Sequence, residues 1–366
     1  MGFISSFDCI LDTSITWADF ENQLRSSLCT NAHLGANKSV IDIGDGNGFT
    51  SRCGLITCDW IGATIGEQLP QKVVIKIPSA VPMRKMNESL RPEQRQFDEE
   101  MWKEMEEGIR EVHNIEVATY DFFKNFHNLS MPRLYYGISF EENDQVDGQL
   151  CLEYVENSRM MSFYEFHTVD QVRQIARAVG KIHACSLKKV VGAPEVCSDF
   201  FERFYTHRTK AYSGMLKGIF SLDGSEKTKE LMERIESILP EYYDTNLPLT
   251  IHEQMGFPPV IVNGDLRTEN VLLDRDTGDL AALIDWQCTH LGVGVEDLHR
   301  ISLFALAPED RRAHMPMLVE EMYKGLVENL DGAVPPYSLA TLLLVSDLLY
   351  PHCALFFAAG AVSLIS

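Results

Sequence analysis

Basic residues are in short supply: 32 Lys and Arg stand against 53 Asp and Glu, giving a net charge of −21 at neutral pH. The deficit runs through both halves of the chain, so no basic face hides in one of them. This argues against sequence-independent binding to nucleic acid or to an anionic bilayer. Paired cysteines are missing too. The nine cysteines, at positions 9, 29, 53, 58, 151, 185, 197, 288 and 353, form no Cys-x-x-Cys pair and no zinc-like cluster. Reduced thiols in a cytoplasmic protein are the simplest account. No basic stretch precedes a long apolar run near the start, so nothing there reads as a secretory signal. Gly2 and Ser6 match a myristoylation pattern superficially, without the second signal that stable anchoring needs. The nearest approach to a membrane span, Leu339–Ile365, is interrupted by Asp347, Pro351 and His352, and reads as a pair of buried core helices. Internal repeats and low-complexity tracts are absent.

What is present points to phosphoryl transfer. At 366 residues the chain exceeds a typical single core, and 45% hydrophobic with 23% charged residues is the composition of a folded protein. Two lobes are expected, 1–153 and 154–366. In the last third the chain reads Val260-Ile-Val-Asn-Gly-Asp265-Leu-Arg-Thr-Glu-Asn270-Val-Leu-Leu-Asp, and fifteen residues after Asn270 comes Asp285, in Ile284-Asp285-Trp286-Gln. An aspartate with an asparagine five positions later fits a kinase catalytic loop, in which the Asp takes the acceptor hydroxyl's proton and the Asn holds magnesium. Residues 271–274 and 280–284 read as short apolar strands joined by Arg275-Asp-Thr-Gly278-Asp, a hairpin that returns Asp285 beside Asn270. Two oxygen ligands plus nucleotide phosphates and water suffice for magnesium. Taken singly, Asn-Gly-Asp reads as a turn and Ile-Asp-Trp as a strand end; their order and spacing favour the catalytic reading.

The run Asn263-Gly-Asp265-x4-Asn270, then Ile284-Asp285-Trp286-Gln287-x2-His290-x-Gly292, then Glu296-Asp297-Leu298-x-Arg300 resembles the choline kinase-like and ecdysteroid kinase-like proteins of the aminoglycoside phosphotransferase superfamily, especially their uncharacterised nematode branch. The resemblance implies an α+β, two-lobed protein-kinase-like fold, with a small β-rich N-lobe and a larger, mostly helical C-lobe. It implies ATP and Mg²⁺ as cofactors and a small-molecule hydroxyl as acceptor, of steroid, xenobiotic or amino-alcohol class. Relatives usually carry His where this chain has Asn263, and often Trp where it has Arg267. The resemblance gives position 263 a scaffold role that Asn can fill by hydrogen bonding. It gives Asp297 a supporting role, accepting hydrogen bonds from the catalytic loop, against the rival reading of a helix N-cap.

Upstream, Ser39-Val-Ile-Asp-Ile-Gly44-Asp-Gly46-Asn-Gly48-Phe-Thr-Ser51 is a strand running into a glycine-rich turn. Gly44, Gly46, Gly48 and Ser51 can cover phosphates with backbone N–H donors. Lys76 lies inside an apolar strand, where an ammonium needs a partner. In the kinase order it bridges phosphates and a helix carboxylate, with Glu116 in the family-like segment His113-x-x-Glu116-x-x-x-Tyr120 as first choice, and Glu111 or Asp121 as alternatives. Glu153 and Val155 stand where kinases connect their lobes, so their backbone is expected on an adenine edge.

The pattern predicts a helix over 13–34; strands over 39–43, 53–60, 72–77, 133–140 and 149–155; a charged helical block over 92–123; and helices over 169–187, 198–220, 225–243 and 308–330. Residues 83–96 read as polar and mobile. His183 reads as a buried structural histidine. A cage for a cationic acceptor would draw on Trp286, Tyr205, Tyr212, Tyr242 and Tyr243, whereas Arg267 opposes a cation. Only eleven residues separate Asp285 from Asp297, too few for the activation segment of a protein kinase. The alternatives are a nucleotide-binding pseudokinase or scaffold, and a lipid or hormone carrier using the apolar C-terminal helices.

Overall fold

The computed structural model describes residues 8–44, 50–89, 99–140, 147–162, 164–188, 225–242 and 247–365. The expected helix over 198–220 lies outside them, as do Gly46, Gly48, Tyr205, Tyr212 and Tyr243. The chain divides into two compact units. One comprises Met1–Asn125 and Met131–Glu156; the other comprises Phe126–Ser130 and Asn157–Ser366.

The first unit is built on a five-stranded antiparallel sheet in the order β2-β3-β5-β7-β6. These strands are β2 Ser39–Asp42, β3 Ser51–Thr57, β5 Lys72–Pro78, β6 Leu134–Ile138 and β7 Gln149–Glu153. Period-two patterning explains the core face: Val73, Ile75 and Ile77 of β5 are buried, while Val74 and Lys76 point the other way. On the buried side, α1 (Trp17–Leu28) contributes Phe20 and Leu24 to one cluster with Ile56, Val73, Ile75 and Cys151. This helix is shorter than the span 13–34 expected from the sequence, and its ends explain why. Thr16 and Asp19 form a capping box at the start, and Cys29 turns left-handed at φ 53° at the end. A two-stranded ribbon pairs β1 (His33–Leu34) with β4 (Trp60–Ile61).

Two further helices belong to this unit, α2 (Val81–Ser89) and α3 (Glu99–Phe123). Within the segment expected to be polar and mobile, residues 83–89 are helical, and residues 90–96 fall outside the description. Tertiary contact overrides the weak local pattern here, since Arg84 stacks over Trp102 at 4.8 Å and pairs with Glu106 at 2.9 Å.

The second unit is mostly helical: α4 (Val169–Lys188), α5 (Glu226–Tyr242), α6 (Leu247–Met255), α7 (Val295–Ala305), α8 (Pro308–Glu328) and α9 (Leu339–Ile365). The α4 and α8 backbones come very close. A Cβ on Gly180 would sit 2.0 Å from the Met322 carbonyl oxygen, and one on Gly325 would sit 2.2 Å from that of Arg177. Two small sheets lie in this unit. β10 (Val271–Asp274) and β11 (Leu280–Leu283) form the expected hairpin, with β8 (Ser158–Met160) as a third strand; β9 (Val260–Val262) pairs with β12 (His290–Gly292). Leu339–Ile365 is one helix carrying Pro351 inside it, not a pair of helices. Asp347 lies exposed on it while Val345, Leu349 and Cys353 are buried, so its charge stays in water. Among the described residues, no helix is long and apolar enough to cross a membrane.

Candidate active site

Asn263, Gly264 and Asp265 follow β9 directly, and their backbone is held from below. The buried carboxylate of Asp297 accepts the Asn263 N–H at 2.7 Å and the Gly264 N–H at 3.0 Å. The N-cap of α7 is Gly294, without a side-chain cap, so the helix-cap reading of Asp297 fails. Burial raises the Asp297 carboxyl to about 6, against the lowering effect of those two N–H donors. Gly264 has to be glycine on two counts. Its φ is +79°, and a Cβ would lie 2.1 Å from the Cys288 carbonyl oxygen.

Asn263 ties this loop to the next element. Its Oδ1 accepts the Asp265 N–H at 3.0 Å, and its Nδ2 donates to the Asp285 carbonyl at 3.1 Å. Thr268–Asn270 forms a short 3₁₀ turn that brings Asn270 back onto Asp265. Asn270 Nδ2 donates to the Asp265 carbonyl at 2.7 Å and lies 3.3 Å from its Oδ2. The hairpin then places Asp285. Val271 pairs with Leu283, and the Ile284 N–H donates to the Asn270 carbonyl at 3.0 Å, so Asp285 is one residue beyond the Asn270 rung. Asp285 adopts φ +61°, a left-handed conformation that costs a residue other than glycine about 1–3 kcal/mol.

The environment of Asp265 is mixed. Burial is the main influence raising its carboxyl, Asp285 adds to this, and Arg267 opposes it. Arg267 Nε is 3.4 Å from Asp265 Oδ2, and its Nη1 is 3.1 Å from Glu269 Oε1. Beneath the site a buried trio crosses from β12 to α7, with His290 3.1 Å and Arg300 2.8 Å from Glu296. Burial pushes the Glu296 carboxyl up, but His290 and Arg300 outweigh it and hold it well below the carboxylate range. His183 is fully buried and packed on Gly294, and burial lowers it to about 3. Trp286 is buried with its indole N–H on the Leu283 carbonyl, so it cannot join a cage around an acceptor. The sequence reading placed His290, Glu296 and Arg300 in the family-like run but did not pair them, and it did not pair Glu269 with Arg267. For Glu269 the one signal in the sequence is the opposite charges at positions 267 and 269.

The first unit carries the other expected residues. Lys76 Nζ is 2.7 Å from Glu116 Oε2, with both side chains largely buried; the alternative Asp121 pairs instead with Lys124. The Gly44 N–H donates to Asp42 Oδ1 at 3.0 Å, and a Cβ there would meet the Cys53 nitrogen at 3.1 Å. Ser51 begins β3 and is buried. The Glu153 N–H is committed to the Arg133 carbonyl at 2.8 Å, so it has no proton to offer a base edge. That limits the expected adenine contact at Glu153 to its carbonyl.

Residues 4–366 match a family described as "Uncharacterized oxidoreductase dhs-27". The chain belongs to this family, DUF1679. The oxidoreductase of that description is the named protein's. A curated relative, the "Uncharacterized kinase-like protein D1044.1" of Caenorhabditis elegans, is 26% identical over 294 residues, 78% of this chain and 73% of that protein. Among solved structures, the GDP complex of wild-type aminoglycoside 2'-phosphotransferase-IIIa is similar at TM-score 0.49 and 10% identity, covering 95% of this chain and 93% of that one. The choline kinase LicA from Streptococcus pneumoniae is similar at TM-score 0.42 and 13% identity, covering 93% and 89%. A microcompartment-associated aminopropanol kinase gives 0.47 and 14%, covering 92% and 87%.

Proposed function

We propose that this DUF1679 protein is an ATP- and Mg²⁺-dependent, two-lobed kinase-like phosphotransferase that moves the γ-phosphoryl group to a hydroxyl of a small molecule in the cytoplasm. The observation that carries this reading is the locked set Asp265, Asn270 and Asp285: the Asn270 amide sits on Asp265, and the Asn270 carbonyl takes the amide next to Asp285. Asp265 receives the acceptor hydroxyl's proton as that oxygen bonds to the γ-phosphorus, and ADP departs with the bridging oxygen. Its burial-raised carboxyl makes it a stronger base than a free aspartate. Arg267, Asn263 and Asp297 fix the loop from which it acts.

The residues fit a magnesium ion. Asn270 spends its amide nitrogen on Asp265, which leaves the oxygen as its ligand end, and Asp285 adds a carboxylate. When bound, the ion supplies positive charge to the phosphate oxygens. In the first unit, Lys76 holds phosphates with its ammonium oriented by Glu116, Gly44 leads into the covering turn that ends at Ser51, and Val155 with the Glu153 carbonyl meets the base. The pseudokinase alternative keeps nucleotide binding and lacks transfer.

ATP with Mg²⁺ should raise the melting temperature, because a ligand that binds only the folded state stabilises it. Asp285→Asn should remove the Mg²⁺-dependent part of that rise. No rise at millimolar ATP, or an unchanged Mg²⁺ titration in the variant, would refute the assignment.

A further inference from the structure

We propose that Arg267, anchored by Glu269, selects the phosphoryl acceptor: it admits compounds with an oxygen on the carbon beside the reacting hydroxyl and rejects those with a cationic nitrogen there. This deepens the phosphotransferase reading and rests on it. An acceptor hydroxyl must come within about 3 Å of an Asp265 oxygen to be deprotonated. Arg267 Nε already lies 3.4 Å from Asp265 Oδ2, so a hydroxyl docked on that oxygen brings the group one carbon away from it close to the guanidinium. A guanidinium has five N–H donors and no acceptor. Nε and Nη1 face the two carboxylates, and the side chain is 20% exposed, so its remaining N–H groups suit a hydroxyl, ether, carbonyl or carboxylate oxygen. A cation in that place meets like charge.

Glu269 is what keeps the arginine there. Its Oε1 takes Arg267 Nη1 at 3.1 Å, and its buried Oε2 has no hydrogen-bond partner among the described residues. Swinging Arg267 away would therefore leave a largely buried carboxylate unpaired. Without Arg267 the neighbourhood would hold two carboxylates not committed to magnesium, Asp265 and Glu269, and would attract amino alcohols. The arginine reverses that preference at the atom where the acceptor must dock.

The test uses acceptor sets matched in shape and differing in charge: ethylene glycol, glycolate and 2-aminoethanol; 3,3-dimethylbutan-1-ol and choline; glucose and glucosamine. ADP formation is followed with the full chain, ATP and Mg²⁺, for wild type, Arg267→Gln, Arg267→Lys and Glu269→Gln. For the wild type, kcat/KM should favour the uncharged or anionic member over the cationic one by about tenfold or more. Arg267→Gln should cut or invert that ratio by at least the same factor, mainly through KM. Arg267→Lys should keep it, and Glu269→Gln should weaken it by freeing the arginine. Should Arg267→Gln lose the nucleotide-induced stabilisation that reports folding, the Lys and Glu269 variants decide. A wild-type preference for the cationic members, or a ratio unmoved by these substitutions, overturns the inference and leaves the phosphotransferase standing. Nucleotide binding with no acceptor turned over in any set removes both.

Discussion

Asp297 is held in a setting that disfavours its charge, which suits a residue retained for the loop above it more than for stability. A raised carboxyl binds its proton more tightly in the folded chain, so the folded state gains relative stability below the ordinary value of 3.8. That gain is lost as the pH rises through about 6. The span corresponds to a change on the order of 3 kcal/mol. Asp297→Asn should therefore show a flatter profile of unfolding free energy between pH 4 and 6 than the wild type, measured by denaturant titration. Its amide can serve only one of the two loop N–H groups with its oxygen, so turnover should drop even at a pH where stability is unharmed. A variant with the wild-type pH profile would show that Asp297 does not titrate in this range. Asp285 makes a related trade, since its left-handed backbone is strained where glycine would be comfortable.

At the level of elements, the contact that organises the second unit is α4 against α8. Gly180→Ala or Gly325→Ala would drive a methyl into a facing backbone carbonyl, 2.0 or 2.2 Å away, and main chain cannot yield as a flexible side chain can. Each substitution should destabilise by about 1–3 kcal/mol or more, read as a lower denaturation midpoint with an unchanged slope. A midpoint equal to the wild type's would mean that the helices are less closely packed than described. Elements with strong periodicity were legible in the sequence: β5 from Val73, Ile75 and Ile77, α4 from Val172, Ile175, Ala176, Val179 and Ile182, and the β10–β11 hairpin from its Asp-Thr-Gly turn. Elements made by tertiary contact were not. β8, β9 and β12 are three residues each, too short to show a period, and they exist because a neighbouring strand offers a ladder. The polar later part of α2, from Arg84 to Ser89, is helical where Arg84 lies over Trp102. Pro351 suggested a break in the last helix, yet the helix continues through it.

On the scale of the whole molecule, the candidate chemistry is divided between two compact units, with Lys76 and Glu116 in one and Asp265, Asn270 and Asp285 in the other. The sequence exposed these five because each belongs to a spaced motif of chemically costly residues. It did not expose the ion pairs nearby: Glu269 with Arg267, or His290 and Arg300 with Glu296. Such pairings depend on where the chain folds back, which no local spacing records. The central claim is that this arrangement transfers phosphate. Its most direct test is acceptor-dependent γ-phosphoryl transfer from ATP, measured over a panel of small hydroxyl compounds for the wild type and Asp265→Ala side by side. The account predicts Mg²⁺-dependent transfer by the wild type and a kcat lower by roughly 10²–10⁴-fold in the variant, with nucleotide affinity nearly unchanged. Equal transfer by the two proteins, or ATP bound by the wild type with transfer to nothing on the panel, would contradict it.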